Sequence, residues 1–172
     1  MLRKTGLTLA ITAIASLGAT GVASASTSFD PDSGVGFAGK GDVAQPLGLD
    51  NKALTAAVKN GAIAFSYADE ATYQITCERE GRNETVQRSF NRTQTVSAAV
   101  VYDTRKNQRG NITGFNLTDL GNESVDGNLN CPTNQTLVGG PTLVSTSEDG
   151  GLSVTDGIGT AVIWTALGGS VL

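Results

Sequence analysis

The chain has 172 residues, with 12 Lys and Arg against 16 Asp and Glu, and it contains no histidine. That absence excludes Ser-His-Asp and Cys-His nucleophilic centres and histidine-ligated zinc, copper or iron. Without Arg3 and Lys4, which fall in the leader described next, 10 basic residues face 16 acidic ones, a net charge of −6. Such a surface repels phosphate backbones, and no basic stripe with interleaved aromatics is present, so nucleic acid is not an expected partner.

Arg3 and Lys4 are followed by an apolar run from Leu7 to Leu17 and by small residues ending in Ala23-Ser24-Ala25. This basic, apolar, A-x-A order predicts a secretory signal peptide over 1–25, of bacterial type, with cleavage between Ala25 and Ser26. The apolar core, broken by Gly18 and Gly21, is shorter than the roughly 20 residues a membrane span needs. No Cys follows the cleavage point to carry a lipid, and residues 167–172 form neither a span nor a basic tail. The expected product is therefore a secreted, extracellular protein of one domain, 26–172.

Residues 26–35 are rich in Asp and Gly and predict a flexible arm that joins the fold near Phe37. One short helix is predicted after it, capped by Asp50, stapled by Leu49 and Leu54, and ended by Asn60-Gly61. From Ile63 onward the apolar period changes to two. Ile63, Phe65 and Tyr67 alternate with small or polar residues, as do Tyr73, Ile75 and Cys77, then Val96, Ala98, Val100 and Tyr102, then Phe115 and Leu117. Each run predicts a half-buried strand. Further strands are predicted near 142–147, 152–155 and 161–167.

Turn chemistry separates these runs at Asp69-Glu70, Glu80-Gly81, 107–110, Gly121-Asn122, Asp126-Gly127 and 149–151. Seven to nine short strands without repeated helices predict an all-β, antiparallel sandwich of immunoglobulin-like or similar plan, with the one helix near its N-terminus. A barrel is the alternative closure. Trp164, the only tryptophan, is expected as a core filler.

The two cysteines, Cys77 and Cys131, both lie in the exported part and predict a disulfide in an oxidising compartment. Placed inward, Cys77 would let the bridge join two facing sheets. The segment Gly34-Val35-Gly36-Phe37-Ala38-Gly39-Lys40-Gly41 spells both G-x-G-x-x-G and G-x-x-x-x-G-K. A phosphate loop must join a buried strand to a helix N-terminus, whereas an arm is predicted before these glycines and no helix until Asp50. The glycines are expected to ease an edge strand or turn, and no nucleotide or other cofactor is called for.

Asp30 and Asp32, with Asp149, have a calcium-like spacing but lack the remaining ligands of a calcium loop. Six N-x-S/T triplets, at Asn83, Asn91, Asn111, Asn116, Asn122 and Asn134, are read as a consequence of a chain rich in Asn, Ser and Thr. Glu78, Glu80, Asp103 and Asp119 are the carboxylates from which a glycoside hydrolase would be built, in a chain poor in aromatics for stacking sugars. Asn130-Cys131-Pro132-Thr133-Asn134 is the one loop suited to a protease inhibitor. The depleted catalytic inventory favours a third class, a non-catalytic binding or surface-associated module for an extracellular polymer or protein.

Residues 34–43, continued by Leu47-Gly48-Leu49-Asp50-Asn51-Lys52-Ala53-Leu54, and the strand Thr72-Tyr73-Gln74-Ile75-Thr76-Cys77-Glu78 after Phe65-Ser66-Tyr67 carry a resemblance. Together they resemble a group of small bacterial exported proteins of uncharacterised function, marked by a GF-x-GKGDV-Q motif and a Y-x-V-x-CE strand. Here Ala44 separates Val43 from Gln45, and Pro46 follows. The resemblance implies export and a β-rich domain, and it brings no catalytic residues.

Overall fold

A computed structural model describes residues 27–165; the predicted signal peptide lies outside the described residues. The elements are β1 (Ser28–Asp30), β2 (Val35–Gly39), α1 (Lys40–Ala44), α2 (Asn51–Lys59), β3 (Ala64–Arg79), β4 (Arg82–Tyr102), β5 (Ile112–Asp126), β6 (Thr136–Thr146), β7 (Gly151–Thr155) and β8 (Thr160–Thr165). All pairings are antiparallel, and the strand order is β1-β2-β5-β4-β3-β7-β8, with β6 also on β3.

The all-β antiparallel class is as expected. The sandwich of two facing sheets is not what the pairing describes, because every strand belongs to one sheet rolled into a nearly closed barrel. The physical reason lies in strand length. β3 and β4 run for 16 and 21 residues and carry partners on both edges, so the sheet continues through them and coils with its own twist. Register shifts opposite Gln94/Val96, Ser97/Ala98 and Val101/Tyr102 each put one extra residue in β5 and let that strand bend as it does so.

The two ends of the sheet meet through side chains. Phe29 of β1 stands edge-on to Trp164 of β8 with ring centroids 6.1 Å apart, and Tyr67 lies 5.5 and 6.5 Å from those two rings. Residues 28–30, expected in a flexible arm, are thus a paired strand, because Phe29 is buried by this seam. Phe65, Val96, Phe115, Leu117, Leu152, Val154 and Ile163 fill the barrel.

One end of the barrel is plugged by the helices. α2 begins as predicted: the Asp50 carboxylate accepts from the Ala53 N–H at 2.7 Å, and Leu54 is fully buried. Its C-terminus closes with Ala62 N–H to Ala57 C=O and Gly61 N–H to Val58 C=O, Gly61 sitting at φ 65°. The five-residue α1, which the sequence did not predict, buries Val43 and Ala44 at the same core. The glycine segment therefore does run along a strand and into a helix, contrary to expectation: Gly34 lies in the hairpin turn, Gly36 and Gly39 in β2, and Gly41 in α1. Gly34 turns at φ 64° to close the β1–β2 hairpin, and at Gly36 a Cβ would strike the Ser28 carbonyl.

Two predicted turns resolve into strand. β3 runs straight through Asp69-Glu70, with Asp69 in register opposite Arg92. Gly121-Asn122 is a bulge in β5, two residues opposite the single Thr95 between the Gln94–Glu123 and Val96–Leu120 pairs. The Glu80-Gly81 turn is as read: both residues have positive φ, 52° and 75°, which matches the right-handed twist of a two-residue hairpin. The β3–β4 hairpin projects past the barrel and takes β6 on its β3 side. The Cys77–Cys131 disulfide is present, with Cα atoms 5.8 Å apart. It ties β3 to the β5–β6 connection instead of joining two sheets.

Candidate functional site

At the barrel end away from the helices, inward-facing positions change from apolar to polar along three adjacent strands. On β3 the inward series is Phe65, Tyr67, Asp69, Ala71 and Tyr73; on β4 it is Arg92, Gln94 and Val96; on β5 Glu123 stands opposite Gln94. Direct cross-strand pairing brings Asp69 and Arg92 together. Arg92 Nε and Nη2 donate to Asp69 Oδ1 and Oδ2 at 2.9 and 2.5 Å, a two-pronged ion pair whose side chains are only 8% and 2% exposed. Arg92 Nη1 reaches Glu123 Oε2 at 3.4 Å, and the Tyr73 hydroxyl donates to Glu123 Oε1 at 3.0 Å.

The electrostatics follow from this chain of contacts. The hydrogen bonds to Asp69 push the Arg92 guanidinium above its ordinary value, so its charge is fixed. Burial pushes the Tyr67 phenol up, and Asp69 adds to the shift. Burial and the bond to Glu123 push Tyr73 up as well. Both tyrosines are therefore neutral at neutral pH, and Tyr73 enters the network as a donor to Glu123.

This polar wall is the back of a cleft of about 820 Å³. Phe29, Tyr67 and Trp164 make its floor, which is the aromatic seam of the barrel. One side is the β1–β2 turn with Asp30, Pro31 and Asp32; the other is the β6–β7 break with Thr146, Ser147 and Glu148. Leu120 and Leu143 supply apolar wall. The break exists because Ser147 bonds to Glu70 in two ways, its N–H donating to the carbonyl at 2.7 Å and its Oγ accepting the Glu70 N–H at 3.1 Å. Residues 148–150 then loop out before β7 resumes the ladder on β3. The Gln94 side-chain oxygen is buried in the cleft wall with no protein hydrogen-bond partner among the described residues.

Few residues singled out from sequence meet here. Asp30 and Asp32 do, but the Asp30 carboxylate accepts from Ser33 Oγ at 2.6 Å and the Asp32 N–H at 3.1 Å within its own turn. Those two bonds hold it below its ordinary range. Asp149 lines a shallower depression on the outer side of the same break. Among the described residues no three Asp, Glu or Cys side chains are grouped to hold a metal ion. Trp164 is half-buried and serves both as core and as cleft floor.

The other carboxylates are dispersed. Glu78 pairs with Asn83 at the hairpin tip, while Asp119 pairs with Ser97, on the order of 40 Å along β4 at about 3.3 Å per residue. Asp103 is buried in the β4–β5 connection, where Arg105 Nε donates to it at 2.9 Å and the Arg105 N–H at 2.8 Å. These contacts hold its carboxyl below the usual range. Glu80 sits in the hairpin turn itself. Glu78 and Glu80 thus share the hairpin tip, and the four carboxylates do not gather at one place. Asn130, Pro132, Thr133 and Asn134 are exposed around the disulfide-tethered Cys131, and all six N-x-S/T asparagines are exposed.

Asp69, Arg92, Gln94, Tyr73 and Glu123 were not identified from the sequence. A signal for Asp69 was present: it falls on the apolar phase of an alternation that continues unbroken from Ile63 to Cys77.

Fold and site together define a nearly closed antiparallel β-barrel, plugged at one end and opening at the other into a cleft with an aromatic floor. Comparison with protein-family models, curated proteins and solved structures returned no match.

Proposed function

We propose that this chain is an exported, non-catalytic binding module whose recognition surface is the cleft at the open end of the barrel. The observation that carries this reading is the state of the charged groups in the cleft. The one cation there, Arg92, is committed to Asp69 and Glu123, so the polar wall is a pre-formed scaffold instead of a free acid–base couple. Around it stand aromatic and aliphatic side chains with a few placed polar groups, the usual make-up of a ligand site, and the volume lies within the usual range of about 300–1,000 Å³. The signal-like leader and the resemblance of residues 34–78 to exported bacterial proteins support the extracellular setting.

The test is retention of the purified protein on the producer's envelope, secreted proteins and insoluble polysaccharides, beside a Thr146→Trp variant that fills the cleft. The expected result is specific retention that the variant loses by about tenfold or more, as for a blocked site. Equal retention of both proteins would sink the cleft as the recognition surface.

A second reading, inhibition of an extracellular protease, is favoured by one observation: the exposed 130–134 loop is tethered at Cys131 to the interior strand β3. A pre-organised loop loses little entropy on binding. Protease inhibition that is abolished by substitutions at Pro132 and Thr133 but indifferent to Thr146→Trp would place function there.

A further inference from the structure

We infer that the cleft receives an organic cation: an alkylammonium group on an apolar stem. The inference rests on the cleft being the binding site and specifies what enters it. Three independent features of the walls ask for the same chemistry.

The first is charge. Asp30, Asp32, Asp69 and Glu148 face the cleft against Arg92 alone. Asp69 and Arg92 cancel each other, which leaves the uncompensated carboxylates of Asp30, Asp32 and Glu148 on two opposite rims. An anion entering between them is repelled from both sides. The second is the floor. Trp164, half-buried against the packed Phe29 and Tyr67 rings, supplies the π system, the type that attracts a cation most strongly within about 6 Å. The third is Gln94, whose buried side-chain oxygen is an acceptor with no protein donor among the described residues. An ammonium N–H that reached this oxygen would supply the donor, and a neutral hydrocarbon would not.

The acids do not converge in a group able to hold a metal among the described residues, so a compact ion would find no shell of ligands. A diffuse organic cation needs none. Leu120 and Leu143 flank the path to the floor and suit a methylene stem. The group can arrive on a small free amine or as the lysyl side chain of a peptide, and the recognition chemistry is the same.

Trp164 is the only tryptophan of the chain and forms part of the cleft floor, so its fluorescence reports occupancy directly. The probes are hexylammonium, hexanol and hexanoate, followed by a short peptide with one lysine and its Nε-acetylated form. The expected result is a saturable change with hexylammonium, at least about tenfold weaker with hexanol and hexanoate, because only the cation meets rim, floor and acceptor together. Asp32→Asn and Glu148→Gln each weaken hexylammonium by about threefold, as partly solvated charges do, and leave hexanol unchanged. Tighter binding of the lysyl peptide than of hexylammonium, lost on acetylation, assigns the peptide source; the reverse order assigns a small amine. Equal binding of hexanol and hexylammonium would overturn the cation while leaving the cleft reading standing. No response to any probe would overturn both.

Discussion

Asp69 and Arg92 illustrate what a buried ion pair asks of its neighbours. Their side chains are 2% and 8% exposed, so each charge is tolerated only because the other is there. Arg92→Met should therefore destabilise the fold by about 3–5 kcal/mol, since Asp69 is left buried and uncompensated. The double variant Asp69→Leu with Arg92→Met should regain most of that loss. Urea denaturation of wild type, single and double variants measures both effects; a single variant within about 1 kcal/mol of wild type would mean that the pair behaves as a surface bridge. This pair was hidden in the sequence for a physical reason. Asp followed by Glu carries turn chemistry, and only the in-register arginine on β4, 23 residues away, makes an inward carboxylate acceptable. Local propensity does not see across a hairpin.

Among the elements, those with local causes were legible and those set by long-range pairing were not. The cap, staple and glycine stop of α2 and the two-residue turn at Glu80-Gly81 are decided within a few residues, and the sequence locates them. The 21-residue length of β4 and the splitting of one strand line into β6 and β7 depend on what β3 offers along its edge. The disulfide was legible as a pair, but its placement was not, because Cys131 lies in the β5–β6 loop and not on a facing strand. That placement carries a prediction. Replacing both cysteines, Cys77→Ala with Cys131→Ala, removes a constraint across a separation of 54 residues, worth about 4 kcal/mol in the chain-entropy account. Hydrogen exchange should rise in the 127–146 region first and leave amides of 64–68 and 151–155 protected, because the latter ladder lies in the barrel. Uniform loss of protection would show that the hairpin and barrel unfold as one unit.

For the molecule as a whole, the sequence carries the all-β class but not the choice between two facing sheets and one rolled sheet. That choice depends on how far β3 and β4 extend and on three aromatic residues, Phe29, Tyr67 and Trp164, that lie far apart in the chain and meet where the sheet edges meet. Their meeting also gives the barrel an uneven thermal character. Neighbouring strands elsewhere are laced by backbone hydrogen bonds, but among the described residues β1 and β8 share no strand pairing and meet at the Phe29–Trp164 ring contact. Apolar attraction fades on cooling. The barrel is thus a cylinder with a cold-sensitive clasp: chilling toward 0 °C should redden the Trp164 emission while far-ultraviolet circular dichroism stays constant, and the same cooling would loosen the floor of the cleft.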